Sequence, residues 1–202
     1  MFFAAGALFL ASCVGNPEGQ KAETTDSAEV SATEGTELAV NTAESKVMWL
    51  GKKVSGEHFG DVAISSGTLV VSGDQLVGGN FVIDLNTINT QDMEGEYKDK
   101  LDEHLRSDDF FDVANHPEAT FEITSATPAE TGVITLSGNL TIRGTTKNIT
   151  FDAQVIEVTE TAANLTADFN IAREDWGITY SGQADDLISK EINFKVTLVA
   201  GN

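Results

Sequence analysis

The chain has 202 residues, which corresponds to one domain with appended segments. Its formal net charge of −20 argues against binding to nucleic acid or to an anionic membrane surface, because both partners select clustered Lys and Arg. A domain of about 150 residues buries on the order of 70% of its unfolded surface, so the core needs no disulfide or metal ion for stability.

The N-terminal residues predict an export signal followed by a lipid anchor. Residues 2–12 are apolar or small, and they precede the only cysteine, Cys13. This run is shorter than the roughly 20 residues that cross a bilayer, and it has the length of the apolar part of a signal peptide. The sequence Leu10-Ala11-Ser12-Cys13 resembles the bacterial lipobox, in which the cysteine is acylated and becomes the mature N-terminus. We therefore expect residues 1–12 to be a lipoprotein signal peptide and Cys13 to be lipidated, although residues 1–12 lack the usual basic start.

The next segment, residues 13–44, is rich in Glu, Thr, Ala, Ser and Gly and poor in large apolar side chains. Such a composition buries too little apolar surface to offset the entropy of ordering the chain. It predicts a flexible acidic tether between the lipid anchor and a domain that spans residues 45–202.

From Ser45 onward, apolar and polar residues alternate, which is typical of strands with one buried and one wetted face. Eight strands are predicted, within residues 47–51, 61–71, 76–85, 119–125, 133–143, 149–155, 165–171 and 192–198. The short links favour a closed antiparallel barrel over a sandwich, which the pattern also permits. An eight-stranded barrel is either filled by its own side chains or holds one slender ligand.

An insertion, Tyr97 to Ile123, interrupts the strands. Four apolar residues recur there or just before it at a spacing of four: Met93, Tyr97, Leu101 and Leu105. This spacing predicts a short helix with one apolar face. The turn that follows carries the adjacent pair Phe110 and Phe111. We expect the helix and this pair to close the barrel, as a moving lid or as a fixed plug.

Catalytic and metal-binding patterns are scarce. His58, His104 and His116 lack metal-ligand spacing, and the acidic run around Asp108 lacks the spacing of a calcium loop. No catalytic residue, metal or cofactor is therefore expected.

Three side chains stand out as candidate contacts for the polar end of a ligand. Arg173 continues the inward phase of the seventh strand, so it needs a carboxylate or a ligand head group as a partner. Trp176 is predicted at the barrel mouth, where an indole suits an amphipathic ligand, and His58 lies between the first two strands. Each also has a purely structural interpretation: an internal salt bridge, a rim-closing tryptophan and an ordinary hairpin loop.

Several stretches together resemble the YceI-like family of lipocalin-like proteins. They are LDEHLRSDDFFDVANHPEATFEI, GNLTIRGTTKNITFDA, SKVMWLGKKVSGEHFG and REDWGI. The resemblance extends from Ser45 to Ala200. It implies an all-β fold, an eight-stranded antiparallel lipocalin-like barrel with a helical insertion between strands 3 and 4. It further implies that the interior binds a long apolar molecule such as a polyisoprenoid or fatty amide, and that the protein is located in the periplasm or envelope.

The function expected from these observations is a lipid-anchored envelope protein that transports, stores or sequesters an isoprenoid or similar long-chain lipid. Its partners would be that lipid and the membrane that holds the anchor. The candidate ligand-binding residues are Trp49, His58, Phe81, Phe110, Phe111, Phe121, Phe151, Phe169, Arg173, Trp176 and Phe194. Two alternatives remain open. The barrel could be packed solid in a stress-response or surface interaction protein, or it could enclose an enzyme site, for which the alternation supplies only Arg173.

Overall fold

A computed structural model describes residues 14–201 of the protein. The predicted signal peptide and the predicted lipidation site at Cys13 lie outside the described residues.

The described chain forms strands, one α-helix and one 3-10 helix. In chain order they are β1 (Gln20–Lys21), β2 (Glu23–Asp26), β3 (Thr36–Ala39), β4 (Lys46–Lys53), β5 (Gly56–Ser72), β6 (Gln75–Thr90), α1 (Gly95–Arg106), β7 (Glu118–Glu130), β8 (Val133–Ile142), β9 (Thr145–Val158), β10 (Ala162–Ala172), the 3-10 helix (Arg173–Trp176), β11 (Gly182–Gln183) and β12 (Asp186–Gly201).

Eight of these strands close into an antiparallel barrel in the order β10-β12-β4-β5-β6-β7-β8-β9. The pairing of β9 with β10 completes the ring. All eight predicted strands are present and the predicted barrel is confirmed, with α1 between its third and fourth strands. Seven of the eight observed strands extend beyond the predicted ranges, because hydrogen bonding continues past the residues that alternate clearly. The exception is β8, which ends one residue earlier than predicted, at Ile142.

The apolar face of each strand points inward, as the alternation predicts. On β10, Leu165, Phe169 and Ile171 are buried. On β8, the ring of Phe121 lies over Gly138. A Cβ atom at this position would come within 2.2 Å of the ring, so the packing requires glycine there.

The two ends of the barrel differ. One end carries the β4–β5, β6–β7, β8–β9 and β10–β12 connections, which include α1 and the 3-10 helix. We call it the helical rim. The other end, the opposite rim, carries the β5–β6, β7–β8 and β9–β10 connections.

The N-terminal segment is not the free tether that its composition predicts. Strands β9 and β10 pair directly only from Val158↔Ala163 to Ala153↔Ala167. Toward the helical rim they part, and the chain from Gln20 to Asp26 runs between them. There β1 pairs in parallel with β10 and β2 pairs antiparallel with β9. We call residues 16–26 the N-terminal strap.

The strap is held by backbone pairing and by one small core side chain. Ala22 is 2% exposed and belongs to the hydrophobic core, and its N–H donates to the carbonyl of Asn170 at 2.9 Å. Further along, β3 pairs with β5, and Val40 bridges to Ala200 on β12. Composition misses this arrangement because the unpaired backbone groups of the parted strands, rather than large side chains, hold the segment.

Candidate functional site

The barrel encloses an apolar cavity of about 140 Å³. Its wall is formed by inward-facing side chains of all eight barrel strands together with residues of the insertion. Four polar residues also border it, Thr166, Arg173, Ser189 and Glu191, but the surface that faces the cavity is apolar. A cavity with so few polar partners does not hold ordered water well and suits an apolar occupant.

Most of the predicted ligand-binding side chains meet on this wall. They are Trp49, Phe81, Phe110, Phe111, Phe121, Phe151, Phe169, Arg173 and Phe194. Their role in binding a ligand remains a prediction, and the structure shows that they share one cavity.

Five phenylalanine rings form a continuous belt around the inside. The ring centroids of Phe81 and Phe121 are 5.3 Å apart, and those of Phe121 and Phe151 are 6.0 Å apart. Phe151 and Phe169 stack with their centroids at 4.0 Å, and Phe169 continues to Phe194 at 6.1 Å. The stacked pair lies where β9 and β10 begin to part, so its rings cover the inner side of that fork.

The insertion closes the helical rim, as expected. Leu105, Phe110 and Phe111 all contribute to the cavity wall. The carbonyl of Phe110 accepts a hydrogen bond of 2.8 Å from Arg143 in the β8–β9 connection. Arg143 has a φ of 52°, in the left-handed region that is unusual for a residue other than glycine.

The apolar face predicted for the helix is only partly buried. Leu105 is buried and Leu101 packs against the core, but Tyr97 is 72% exposed. The helix is held instead by Asp102, which is 5% exposed and accepts hydrogen bonds from both the N–H and the hydroxyl of Thr90, at 2.8 and 2.6 Å. Burial alone would raise the pKa of Asp102, but the hydrogen bonds from Lys98 and Thr90 outweigh it and hold the pKa below its usual value.

An aromatic cluster joins the insertion to the β10–β12 connection. The ring of His104 packs edge-on against Phe110, with centroids 5.0 Å apart, and against Tyr180 at 4.9 Å. Asp109 contacts the other side of His104, with 3.0 Å between Nε2 and Oδ2. Two segments that are distant in the sequence, residues 104–110 and the connection that contains Tyr180, therefore form one closed end.

Arg173 faces inward, but its expected carboxylate partner is replaced by backbone carbonyls. It is 2% exposed, and its Nε donates to Ser189 O and its Nη1 to Ile178 O, both at 2.8 Å. Burial lowers the pKa of Arg173, and Glu174 raises it by a smaller amount. The guanidinium remains charged, since arginine does not lose its proton in proteins. Its hydrogen-bonding capacity is directed at the protein rather than at the cavity.

The other two candidates do not line the cavity. His58 lies on the rim, where its Nδ1 is 2.7 Å from the Asp92 carboxylate. Burial raises the pKa of Asp92, but the contacts with His58 and with the Phe59 N–H lower it further, to below its usual value. Trp176 is 1% exposed, and its indole donates to Leu140 O at 3.1 Å. Its place is the packed 3-10 helix, which agrees with the rim-closing interpretation and not with a ligand contact at the mouth.

Asp102, Tyr180 and Ala22 were not singled out in the sequence. Asp102 lies on the polar side of the predicted helix, where a buried carboxylate has no distinguishing pattern. Tyr180 lies between the 3-10 helix and β11, outside any periodic segment. Ala22 lies in a low-complexity stretch that gives no burial signal.

Within residues 14–201, the structure brings together no group of three or more His, Cys, Asp and Glu side chains that could hold a metal ion. The one α-helix of the described residues is too short and polar to span a bilayer.

The model of the YceI-like domain matches residues 38–200, which is most of the chain. The chain belongs to the YceI-like family. The family match begins within β3 and covers the whole barrel, so the N-terminal strap lies outside the matched region.

Among curated relatives, Protein YceI of Salmonella arizonae and Protein YceI of Salmonella newport are each 40% identical over 70 residues. That region is 35% of this chain and 36% of each relative, so the matched part spans about a third of the relatives' length.

Three solved structures share the YceI-like barrel. BcnA of Burkholderia cenocepacia superimposes with a TM-score of 0.62 at 20% identity, covering 80% of this chain and 99% of BcnA. A polyisoprenoid binding domain of Saccharophagus degradans gives a TM-score of 0.62 at 16% identity, and the superposition covers 83% of this chain and 99% of that domain. The YCEI protein of Campylobacter jejuni gives a TM-score of 0.53 at 22% identity, and the superposition covers 69% of this chain and 82% of the Campylobacter protein. At these identities the likeness establishes the fold.

Proposed function

We propose that this protein is a lipid-anchored envelope protein that binds a long apolar ligand, a polyisoprenoid or fatty-acid-like lipid, inside its barrel for transport, storage or sequestration. The observation that carries the proposal is the apolar cavity of about 140 Å³ with its belt of phenylalanine rings. Membership of the YceI-like family and the likeness to a polyisoprenoid binding domain support an apolar ligand. The lipobox-like sequence at Cys13 supports the anchor and a location facing the periplasm or the cell surface.

Binding would draw its free energy from desolvation. Each CH₂ group that leaves water contributes roughly 0.8 kcal/mol, so affinity would increase with chain length. An apolar cavity of about 150 Å³ accommodates a molecule of the size of benzene. A longer chain therefore requires side chains of the wall to move, and the insertion at the helical rim is the part of the wall that is not a barrel strand. No step of this function requires a catalytic residue.

The experiment that tests the proposal is organic extraction of the purified full chain, followed by mass spectrometry of the extract. We expect a long-chain lipid to co-purify, and stripped protein to take up a prenyl lipid. Protein that carries no lipid and also fails to take up prenyl lipids would refute the proposal.

A second function, in which a solidly packed barrel serves as an interaction or stress-response protein, is favoured by the close packing of Phe151 on Phe169 inside the barrel, with ring centroids 4.0 Å apart. Phe169→Ala separates the two. A packed core loses about 3–5 kcal/mol on such truncation. A hollow barrel would lose much less stability and would change its affinity for prenyl lipid.

Ile64→Ala is the matched control, because Ile64 is 2% exposed but does not line the cavity. It should cost about 2–5 kcal/mol in either case. If Phe169→Ala lowers the free energy of unfolding as much as Ile64→Ala does, and lipid uptake does not change, the packed barrel is favoured.

A further inference from the structure

The strap places the start of the described chain at the helical rim. The side chain of Asn16 accepts a hydrogen bond from the Ser189 hydroxyl at 2.9 Å, and the carbonyl of Pro17 accepts one from Asn170 at 2.8 Å. Ser189 lies beyond the last β10–β12 pair, Ala172↔Glu191, on the side of the helical rim. Residue 16 is therefore fixed to one particular end of the barrel.

This attachment is specific rather than incidental. Pro17 to Lys21 cover a buried polar group on the outer face of β10 and β12, in which Asn170 and Asn193 are each 2% exposed. Gly19 fits against them with a φ of 142°, where a Cβ atom would come within 2.5 Å of both amides. Lys21 pairs with the buried Glu191 at 3.5 Å. Release of the strap would expose this group to water and break its contacts with Pro17 and Lys21.

The helical rim also carries most of the exposed apolar surface. Of the six large hydrophobic side chains that are exposed in residues 14–201, four lie there: Val54, Phe59, Tyr97 and Leu187. Val54 and Leu187 are adjacent, since the N–H of Val54 donates to the carbonyl of Leu187 at 3.0 Å. Single exposed apolar residues are ordinary, but their concentration at one end marks a surface that is suited to an apolar partner.

We propose that the helical rim is the face that rests on the lipid bilayer, with Val54, Phe59, Tyr97 and Leu187 in contact with the membrane interface. The inference rests on the lipidation of Cys13 in the proposed function. Cys13 and Asn16 are three residue steps apart along the chain, and a fully extended chain covers only about 3.3–3.6 Å per step. The acylated cysteine is therefore held within roughly 11 Å of the point where the strap meets the rim.

The chemistry of the rim fits neutral lipid rather than anionic lipid. The lysines beside Val54 are paired, Lys53 with Asp186 at 3.0 Å and Lys52 with Glu57 at 3.9 Å, and the chain as a whole has a net charge of −20. Attraction comes from the anchor and from apolar side chains, while tyrosine is well suited to an interface that is apolar on one side and wet on the other. In this orientation the insertion faces the bilayer, so an apolar ligand passes between membrane and cavity without crossing water.

The test uses the acylated full chain in vesicles of phosphatidylcholine. Acylation occupies the thiol of Cys13, so an introduced cysteine is the only free thiol and can carry an environment-sensitive NBD label. Leu187→Cys places the label on the helical rim. Asp74→Cys is the matched control, because Asp74 is an exposed residue in the β5–β6 turn of the opposite rim.

We expect the label at residue 187 to shift its emission to the blue and to be quenched by spin-labelled lipid, and the label at residue 74 to behave as in water. Val54→Ser in the Leu187→Cys background should reduce both effects. Equal emission at the two positions in protein whose Cys13 is acylated would overturn the docking surface and leave lipid binding in the barrel untouched. Mass spectrometry that finds Cys13 unmodified would overturn the anchor and the docking surface together, whereas docking without lipid uptake would refute only the proposed ligand.

Discussion

Replacement of Arg173 by methionine tests whether this residue stabilises the barrel or contacts a ligand. The guanidinium is 2% exposed and donates two hydrogen bonds of 2.8 Å, to Ser189 O and Ile178 O, and a longer one of 3.5 Å to Ile188 O. These contacts join the 3-10 helix, the connection that follows it and the start of β12. Methionine has a similar length but no donor, so Arg173→Met removes the bonds while it keeps most of the packing.

The expected loss of stability follows from these contacts. A hydrogen bond to a charged group contributes about 1.5–3 kcal/mol, so the two short bonds together contribute roughly 3–6 kcal/mol. Methionine avoids burial of a charge, which offsets part of the loss, but two buried carbonyls remain without donors. We expect a net decrease of about 3 kcal/mol in the free energy of unfolding.

The assay is urea unfolding of the wild type and the variant, followed by the fluorescence of Trp49 and Trp176. The midpoint should fall with an unchanged slope, which indicates that the folded and unfolded states keep their compactness. In thermal unfolding, a loss of this size corresponds to a decrease in Tm of about 6–12 °C for a domain of this length. Lys195→Met is the control, since Lys195 is an exposed cation on β12 and should change stability by less than about 0.5 kcal/mol.

An Arg173→Met variant with wild-type stability would refute the conclusion that the hydrogen bonds of Arg173 stabilise the barrel. A variant of unchanged stability that has lost affinity for prenyl lipid would show that Arg173 contacts the ligand instead.

Two further predictions concern the closed end and the strap. The pKa of Asp102 is lowered in the folded protein, so its contribution is fully present above the unfolded value of about 3.9 and is lost as the pH falls through the folded pKa. Asp102→Asn should therefore lower the free energy of unfolding by about 1–2 kcal/mol at pH 7 and by nearly nothing below the folded pKa. Urea unfolding of both proteins across that pH range measures this. A difference in stability that does not change with pH would contradict the prediction. Ala22→Asp places a carboxylate in the core, where an unpaired charge is costly, so the strap should detach and trypsin should cut after Lys21. Thr25→Asp, at an exposed position of the strap, should leave this bond protected, and equal cleavage of both variants would contradict the assignment.

The barrel itself could be predicted because its signal is local. Burial of one strand face requires apolar residues at every second position, and Leu165, Phe169 and Ile171 show this without knowledge of their neighbours. The alternation on β10 also predicted that Arg173 lies on the inner side of the barrel, and in the structure Arg173 borders the cavity. The predicted signal peptide and acylation of Cys13 remain predictions.

The candidate site was predicted less completely than the barrel. Residues within regular strands, such as Phe151 and Phe194, reached the cavity wall because their direction follows from the pleat. His58 and Trp176 did not, since both lie outside the strand phase and their directions depend on local turns. Neither the predicted carboxylate nor a ligand head group accounts for the hydrogen bonds of Arg173, which go to backbone carbonyls. Backbone carbonyls are present at every residue and leave no mark in the sequence.

The sequence by itself determined where the eight barrel strands lie, which faces those strands bury and where the helical insertion interrupts them, because each of these depends on residues a few positions apart. The tertiary structure alone decided that residues 20–26 enter the wall between β9 and β10, that Asp102 is buried, and that the aromatic belt leaves a cavity of about 140 Å³. These features arise from backbone pairing and packing between separate segments of the chain, which for Gln20 and Phe169 are more than a hundred residues apart. An apolar inner face has the same sequence whether ligand or neighbouring rings fill the space it borders, so only the relative positions of the strands separate the two.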